Sequence, residues 1–157
     1  MHVEDLGRIL DDHPFFKGID AELRQLLVGC AANERYDAGQ YLFREGNKAD
    51  KFWLIRHGTV AIEVYAAGKP PITVETLGEG DVLGWSWLVE PYKNMFDARA
   101  MTLVRAISMD ATCLLNKMNG NHALGYDVAR RFMPLMAHRI QAARMQMLDL
   151  YGPGRKA

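Results

Sequence analysis

The chain has 157 residues, 49% apolar and 24% charged, and its 19 Lys and Arg balance 19 Asp and Glu. That length suits one domain with an appended helix, and the composition is too apolar for disorder. A net charge of zero supplies no field to hold a polyanion, which counts against nucleic-acid binding as the main task, and it opposes self-association little.

No apolar run approaches the length of a membrane span, and the start, Met1-His2-Val3-Glu4-Asp5, has no basic region followed by an apolar stretch. The only cysteines, Cys30 and Cys113, stand outside any Cys-x-x-Cys pair and are expected to be free thiols. Together these features predict a cytoplasmic protein.

Residues 1–32 read as short helices. Leu6, Ile9 and Leu10 fall at helical spacing until Asp11-Asp12-His13-Pro14 breaks the pattern. Phe15-Phe16-Lys17-Gly18 reads as a turn, and Asp20 is placed to cap a helix through Leu23, Leu26 and Leu27. Residues 33–112 read as a β-roll core, with short apolar stretches punctuated by glycines. Phe52 to Ile55 and Val60 to Val64 read as a hairpin turning at Arg56-His57-Gly58-Thr59. The alternation in its second arm predicts Val60, Ile62 and Val64 inside and Glu63 outside. Ile72 to Thr76 and Ala98 to Met109 read as further strands. Residues 113–157 read as a helix and tail. Leu124, Val128, Phe132, Leu135, Met136, Ile140, Ala143, Met147 and Leu150 recur at three- and four-residue steps. Pro134 predicts a kink, and Gly152-Pro153-Gly154 a stop. The fold class is therefore mainly β with flanking helices: a double-stranded, jelly-roll-like β-roll, short N-terminal helices and a long C-terminal helix, in one domain overall.

Four blocks in this order resemble the cyclic-nucleotide-binding domain family. They are His13 to Gly18, Tyr36 to Gly46, Phe52 to Val60, and Gly78-Glu79-Gly80-Asp81 leading into Val82-Leu83-Gly84-Trp85-Ser86-Trp87-Leu88. The layout is that of a catabolite activator protein-like sensor domain without the DNA-binding domain. The resemblance implies a phosphate-binding cassette, in which a Glu holds the ribose and an Arg pairs with the cyclic phosphate while helix N–H groups cradle it. The chain keeps Gly84 but has Trp85 at the Glu position and, counting back from the strand that ends at Asp110, Asn94 at the Arg position. Asn donates hydrogen bonds but carries no charge. Asp97 would repel an anion if it faced inward, and Lys93 or Arg99 would replace the missing charge if strand register turned either toward the pocket.

Aromatic residues take the place of those polar groups. Trp87 and Phe96 read first as core packing, whereas Trp85 occupies a ligand-contact position of the family. The candidate ligand set is Gly84, Trp85, Ser86, Trp87, Asn94, Met95 and Phe96. It suits a planar or hydrophobic small molecule better than an ordinary cyclic nucleotide. No cofactor is assigned with certainty. The histidines His2, His13, His57, His122 and His138 are scattered, so no metal site is expected. Neither nucleophile elbow nor phosphate loop appears, so no enzyme activity is expected.

Arg130, Arg131, His138, Arg139 and Arg144 are read as a solvated helix face. With only six residues after Tyr151, no helix-turn-helix is expected and hence no direct DNA binding. Phe132, Met136, Ile140, Met147 and Leu150 are expected to form a homodimer or partner helix. Two functions remain open: a ligand-sensing regulatory module that signals through the C-terminal helix to a downstream protein, and a ligand-free interaction subunit whose pocket is filled by aromatic side chains.

Overall fold

The computed structural model describes residues 3–151, with side chains from Asp5 to Asp149. Helix α1 (Val3–Asp12) ends in a 3-10 turn over Pro14–Phe16. Helix α2 (Ala21–Val28) starts where the Asp20 carboxylate accepts the Glu22 N–H at 2.8 Å. Eight strands follow: β1 (Ala31–Tyr36), β2 (Tyr41–Phe43), β3 (Lys51–His57), β4 (Val60–Val64), β5 (Ile72–Leu77), β6 (Val82–Leu83), β7 (Asp97–Ala100) and β8 (Val104–Asp110). A 3-10 turn over Ser86–Leu88 lies between β6 and β7. Helices α3 (Ala111–Gly120) and α4 (His122–Tyr151) complete the chain.

The strands form two antiparallel sheets, ordered β1-β8-β3-β6 and β2-β7-β4-β5. Successive strands therefore cross from sheet to sheet: β1 runs on into β2, β3 into β4, and β7 into β8. This is the jelly-roll-like β-roll. It corrects the expected hairpin, because β3 and β4 lie in different sheets and do not pair. Gly58 makes the crossing at φ +91°, and a Cβ there would sit 2.1 Å from the Leu103 carbonyl oxygen. Only glycine permits that approach. The pair that does close as a hairpin is β4 with β5.

One buried cluster lies between the sheet of β3 and β8 and the flanking helices, and another lies inside the roll. Phe132 joins the first. It is 1% exposed and meets Phe15, Phe52 and Trp87 with ring centroids 4.9, 5.0 and 5.4 Å away. Trp87 stacks on Phe52 at 5.1 Å. Arg131, one step along α4, donates to the carbonyls of Phe15 and Lys17 and pairs with Asp127. The helix is thereby pinned to the N-terminal segment. Phe132 accordingly belongs to the core rather than to a free helix face, and Arg131 is not a solvated charge.

Three further expectations need correction. Cys30 and Cys113 are not free thiols. They form a disulfide with Cα atoms 5.6 Å apart, tying the end of α2 to the first turn of α3, and this removes free thiols as an argument for a reducing compartment. Glu63 is on the outer face but not in solvent: it is 1% exposed, because Arg99 folds over it with a two-pronged contact at 2.9 Å for each oxygen. The single helix expected over residues 113–157 is divided in two, of which α3 is the first. Its start is capped by the Asp110 carboxylate on the Cys113 N–H at 2.7 Å, and the Asn121 side chain caps α4 at the Leu124 N–H. Helix α4 continues through Pro134 without interruption for 30 residues. Pro134 has no N–H to give the Arg130 carbonyl. The predicted stop at Gly152-Pro153-Gly154 lies outside the described residues. No described helix is long and apolar enough to cross a membrane.

Candidate functional site

The site forms where the second half of α4 lies across the β2-β7-β4-β5 sheet. A cavity of about 680 Å³ opens between them. Its sheet wall is Ile62 and Val64 of β4 with Val74 and Glu75 of β5. The loop between β6 and β7 adds Trp85, Val89 and Phe96. Helix α4 supplies Met136, Arg139, Ile140, Ala142, Ala143, Gln146 and Met147. The volume lies in the range of small-molecule sites, and the walls are mostly apolar with a few polar points, as such sites are.

Trp85 and Phe96 are the two members of the predicted ligand set that line this cavity. Phe96 leans on Phe43 at 5.5 Å. Trp85 is half-buried, and its indole N–H is shielded from solvent without a partner among the described residues. Gly84 lines no part of it. Its φ of +97° and the 3.3 Å that would separate a Cβ from the Lys51 carbonyl oxygen make glycine a backbone requirement where β6 passes β3. Ser86 is buried in the 3-10 turn, Trp87 in the core, and Met95 is exposed. Asn94 is buried, and its backbone exchanges hydrogen bonds with the turn after β2: Asn94 N–H to the Asn47 carbonyl at 2.9 Å, Gly46 N–H to the Asn94 carbonyl at 2.8 Å. On the helix, Met136, Ile140 and Met147 line the cavity. Ile140 and Met147 are nonetheless 70% and 62% exposed. The side chain of Leu150 lies outside the described residues.

Strand register decides which charges face inward. Ile62 pairs with Ala98, Glu63 with Asp97, and Ala61 with Arg99. Ile62 and Ala98 belong to the buried interior of the roll. Side chains alternate along a strand, so Glu63, Asp97 and Arg99 point to the opposite face. There the Asp97 carboxylate accepts the Glu45 N–H at 2.7 Å and lies 3.4 Å from the Arg44 guanidinium. The Arg99 guanidinium is held by Glu63, which raises its pKa. Both arginines near the cassette thus neutralise carboxylates of this chain on the outer face. Lys93 is exposed and bridges by its backbone to Lys48.

The cation that does reach the cavity is Arg139, read from sequence as solvated. Its Nε lies 3.2 Å from Glu75, Nη2 donates to the Val82 carbonyl at 3.3 Å, and Nη1 is buried without a partner among the described residues. Burial pulls its pKa below the usual guanidinium value against the opposing pull of Glu75. Gln146 adds a second tie from α4 to the sheet, donating to the Val74 carbonyl at 2.9 Å. Arg139 was legible in principle: it is three residues after Met136 and four before Ala143, on the apolar stripe itself.

A family model described as the cyclic nucleotide-binding domain matches residues 33–121, more than half of the chain. The chain belongs to the cyclic nucleotide-binding domain family. Among curated proteins, the anaerobic regulatory protein of Bacillus subtilis is 24% identical over 88% of the chain, which spans 57% of that protein's length. Other curated relatives are covered to 47% and 17% of their length. Among solved structures, a putative cyclic nucleotide-binding protein from Geobacter metallireducens superposes with a TM-score of 0.75 at 24% identity, over 89% of this chain and 98% of that one. The regulatory subunit of a cAMP-independent protein kinase A from Trypanosoma cruzi, bound to guanosine, superposes with a TM-score of 0.63 at 21% identity, over 86% of this chain and 51% of that one. The solved structures show that the chain has the fold of these proteins.

Proposed function

We propose that this cyclic nucleotide-binding domain senses a small molecule other than an ordinary cyclic nucleotide, and reports it through α4. The observation that carries the reading is the cavity between Trp85 and Phe96 on one side and Met136, Arg139 and Ile140 on the other. An occupant there touches the roll and the helix at once, so its binding energy depends on where α4 lies. The engagement of Arg44 and Arg99 by Asp97 and Glu63 on the outer face argues against a cyclic phosphate, which needs a charge-assisted partner. That a fold relative holds guanosine, a nucleoside without phosphate, fits the same reading. Trp85 stacks on the ligand in this proposal, with Phe96 behind it and Asn94 bracing the loop. We assign no catalysis to the chain.

Intrinsic tryptophan fluorescence tests the proposal. Small molecules released by denaturing protein purified from its host are added back to fresh protein. A saturable change that Trp85→Ala weakens is expected, with none from cyclic AMP or cyclic GMP. Stoichiometric, tight uptake of either cyclic nucleotide would overturn it.

The exposed apolar residues of α4 favour a second role. Met133, Ile140, Met145, Met147 and Leu148 are all more than half exposed, which suits a homodimer or protein partner along the helix. Sedimentation equilibrium tests this part: a monomer at all concentrations would remove the homodimer.

A further inference from the structure

The chemistry of the cavity wall narrows the ligand class. Most of the wall is aliphatic or aromatic, so the body of the ligand is apolar, and Trp85 and Phe96 favour a flat one. Two of the three buried side-chain nitrogens without a partner among the described residues belong to this wall: Trp85 Nε1 and Arg139 Nη1. Folded proteins pair nearly all buried donors, so two orphans on one cavity mark a place where an acceptor is expected. The charge of Arg139 is already met by Glu75 at 3.2 Å. A second anion would share that guanidinium with a carboxylate and be repelled by it, whereas a neutral acceptor would not.

We propose that the cavity takes a flat, uncharged molecule bearing a carbonyl oxygen or ring nitrogen, with Arg139 and Trp85 as its hydrogen-bond donors. This rests on the cavity being a ligand site. It adds a residue of α4 to that site, so the ligand contacts the helix through a directional bond as well as through packing. Both N–H groups are shielded in this state, so to reach the acceptor the indole turns and the guanidinium pivots about its Nε, giving up the 3.3 Å contact of Nη2 with the Val82 carbonyl. The ion pair with Glu75 holds Arg139 in place while its Nη1 is used.

Three two-ring probes of similar outline test the claim by calorimetric titration of the full chain: 4-quinolone, neutral with a carbonyl; naphthalene, with no acceptor; and 2-naphthoate, charged. The wild type is expected to bind 4-quinolone about tenfold or more tighter than either of the others, the worth of a hydrogen bond from a charged donor. Arg139→Met keeps the apolar stem and Trp85→Phe keeps the ring. Each is expected to abolish most of that preference, and a cooperative urea transition shows that the variant is folded. The probe ranking on the wild type tests the proposal without any variant. Equal binding of 4-quinolone and naphthalene, tightest binding of 2-naphthoate, or a preference unchanged in both variants would overturn the donor assignment and leave the sensor reading standing. Failure of a folded wild type to bind any of the three would overturn both.

Discussion

Phe132→Ala is the substitution that most directly separates the core role of α4 from its surface role. The ring is 1% exposed and lies within 5.4 Å, centroid to centroid, of Phe15, Phe52 and Trp87. Truncation removes the transfer free energy of the ring and leaves a void among three other rigid rings that collapse poorly. Comparable Phe-to-Ala changes cost about 3–5 kcal/mol. The three edge-on contacts argue for the upper half of that range, since aromatic pairs add about 0.5–1.5 kcal/mol beyond area. Ile140→Ala is the control: at 70% exposure it is expected to change monomer stability by no more than about 0.5 kcal/mol. Urea unfolding at two protein concentrations, read by tryptophan fluorescence and by far-ultraviolet dichroism, gives both numbers. The Phe132→Ala loss must not depend on protein concentration. A loss below about 1 kcal/mol, or one that vanishes as protein concentration rises, would show that Phe132 serves an interface instead and refute the packing argument.

Other outcomes follow from the same contacts. The Cys30–Cys113 disulfide spans 83 residues, and the chain-entropy model gives it about 4.5 kcal/mol, so Cys30→Ser/Cys113→Ser is expected to unfold at markedly lower urea; an unchanged midpoint would sink this expectation. His13 is buried, with Nδ1 accepting the Phe15 N–H at 3.2 Å and Nε2 in contact with the Ile55 carbonyl at 3.2 Å, which is the neutral tautomer. Burial is the main reason its pKa lies below 6.5. The unfolded chain therefore binds the proton first, and stability is full above about pH 6.5. Below that it falls by up to about 1.4 kcal/mol per pH unit until the native pKa is reached. Unfolding midpoints at pH 7.5 and 5.5 should differ more for the wild type than for His13→Asn, and equal differences would remove His13 from the account.

Glycine spacing and apolar alternation made the β-roll and the long helix legible in the sequence. What they left open was partnership. The run from Phe52 to Val64 shows which residues face inward but not that Gly58 carries the chain into another sheet. Alternation finds the outer face for Glu63 but not its burial, because it registers polarity and not the Arg99 that covers it from the paired strand. Cys30 and Cys113 gave no hint of a bond, since a separation of 83 residues says nothing of distance in space. Of the site, Trp85 and Phe96 were legible from the cassette. Arg139 is legible only by position: its charge points to solvent, whereas its place on the apolar stripe, beside Ile140, points to the sheet. Glu75, buried in part against it, had no motif to announce it.

Helix α4 is clamped to the core at Phe132 and Arg131, and farther out its ties to the roll include Arg139 and Gln146. From Phe132 to Asp149 the rod measures about 26 Å at 1.5 Å per residue. A wedge pressed in near residue 140 would swing it as an oar swings in a rowlock, and about 10° of swing carries the far end roughly 4 Å. Under the proposed sensing role, the clamp at its root would set how a guest the size of one ring system is heard at the far tip.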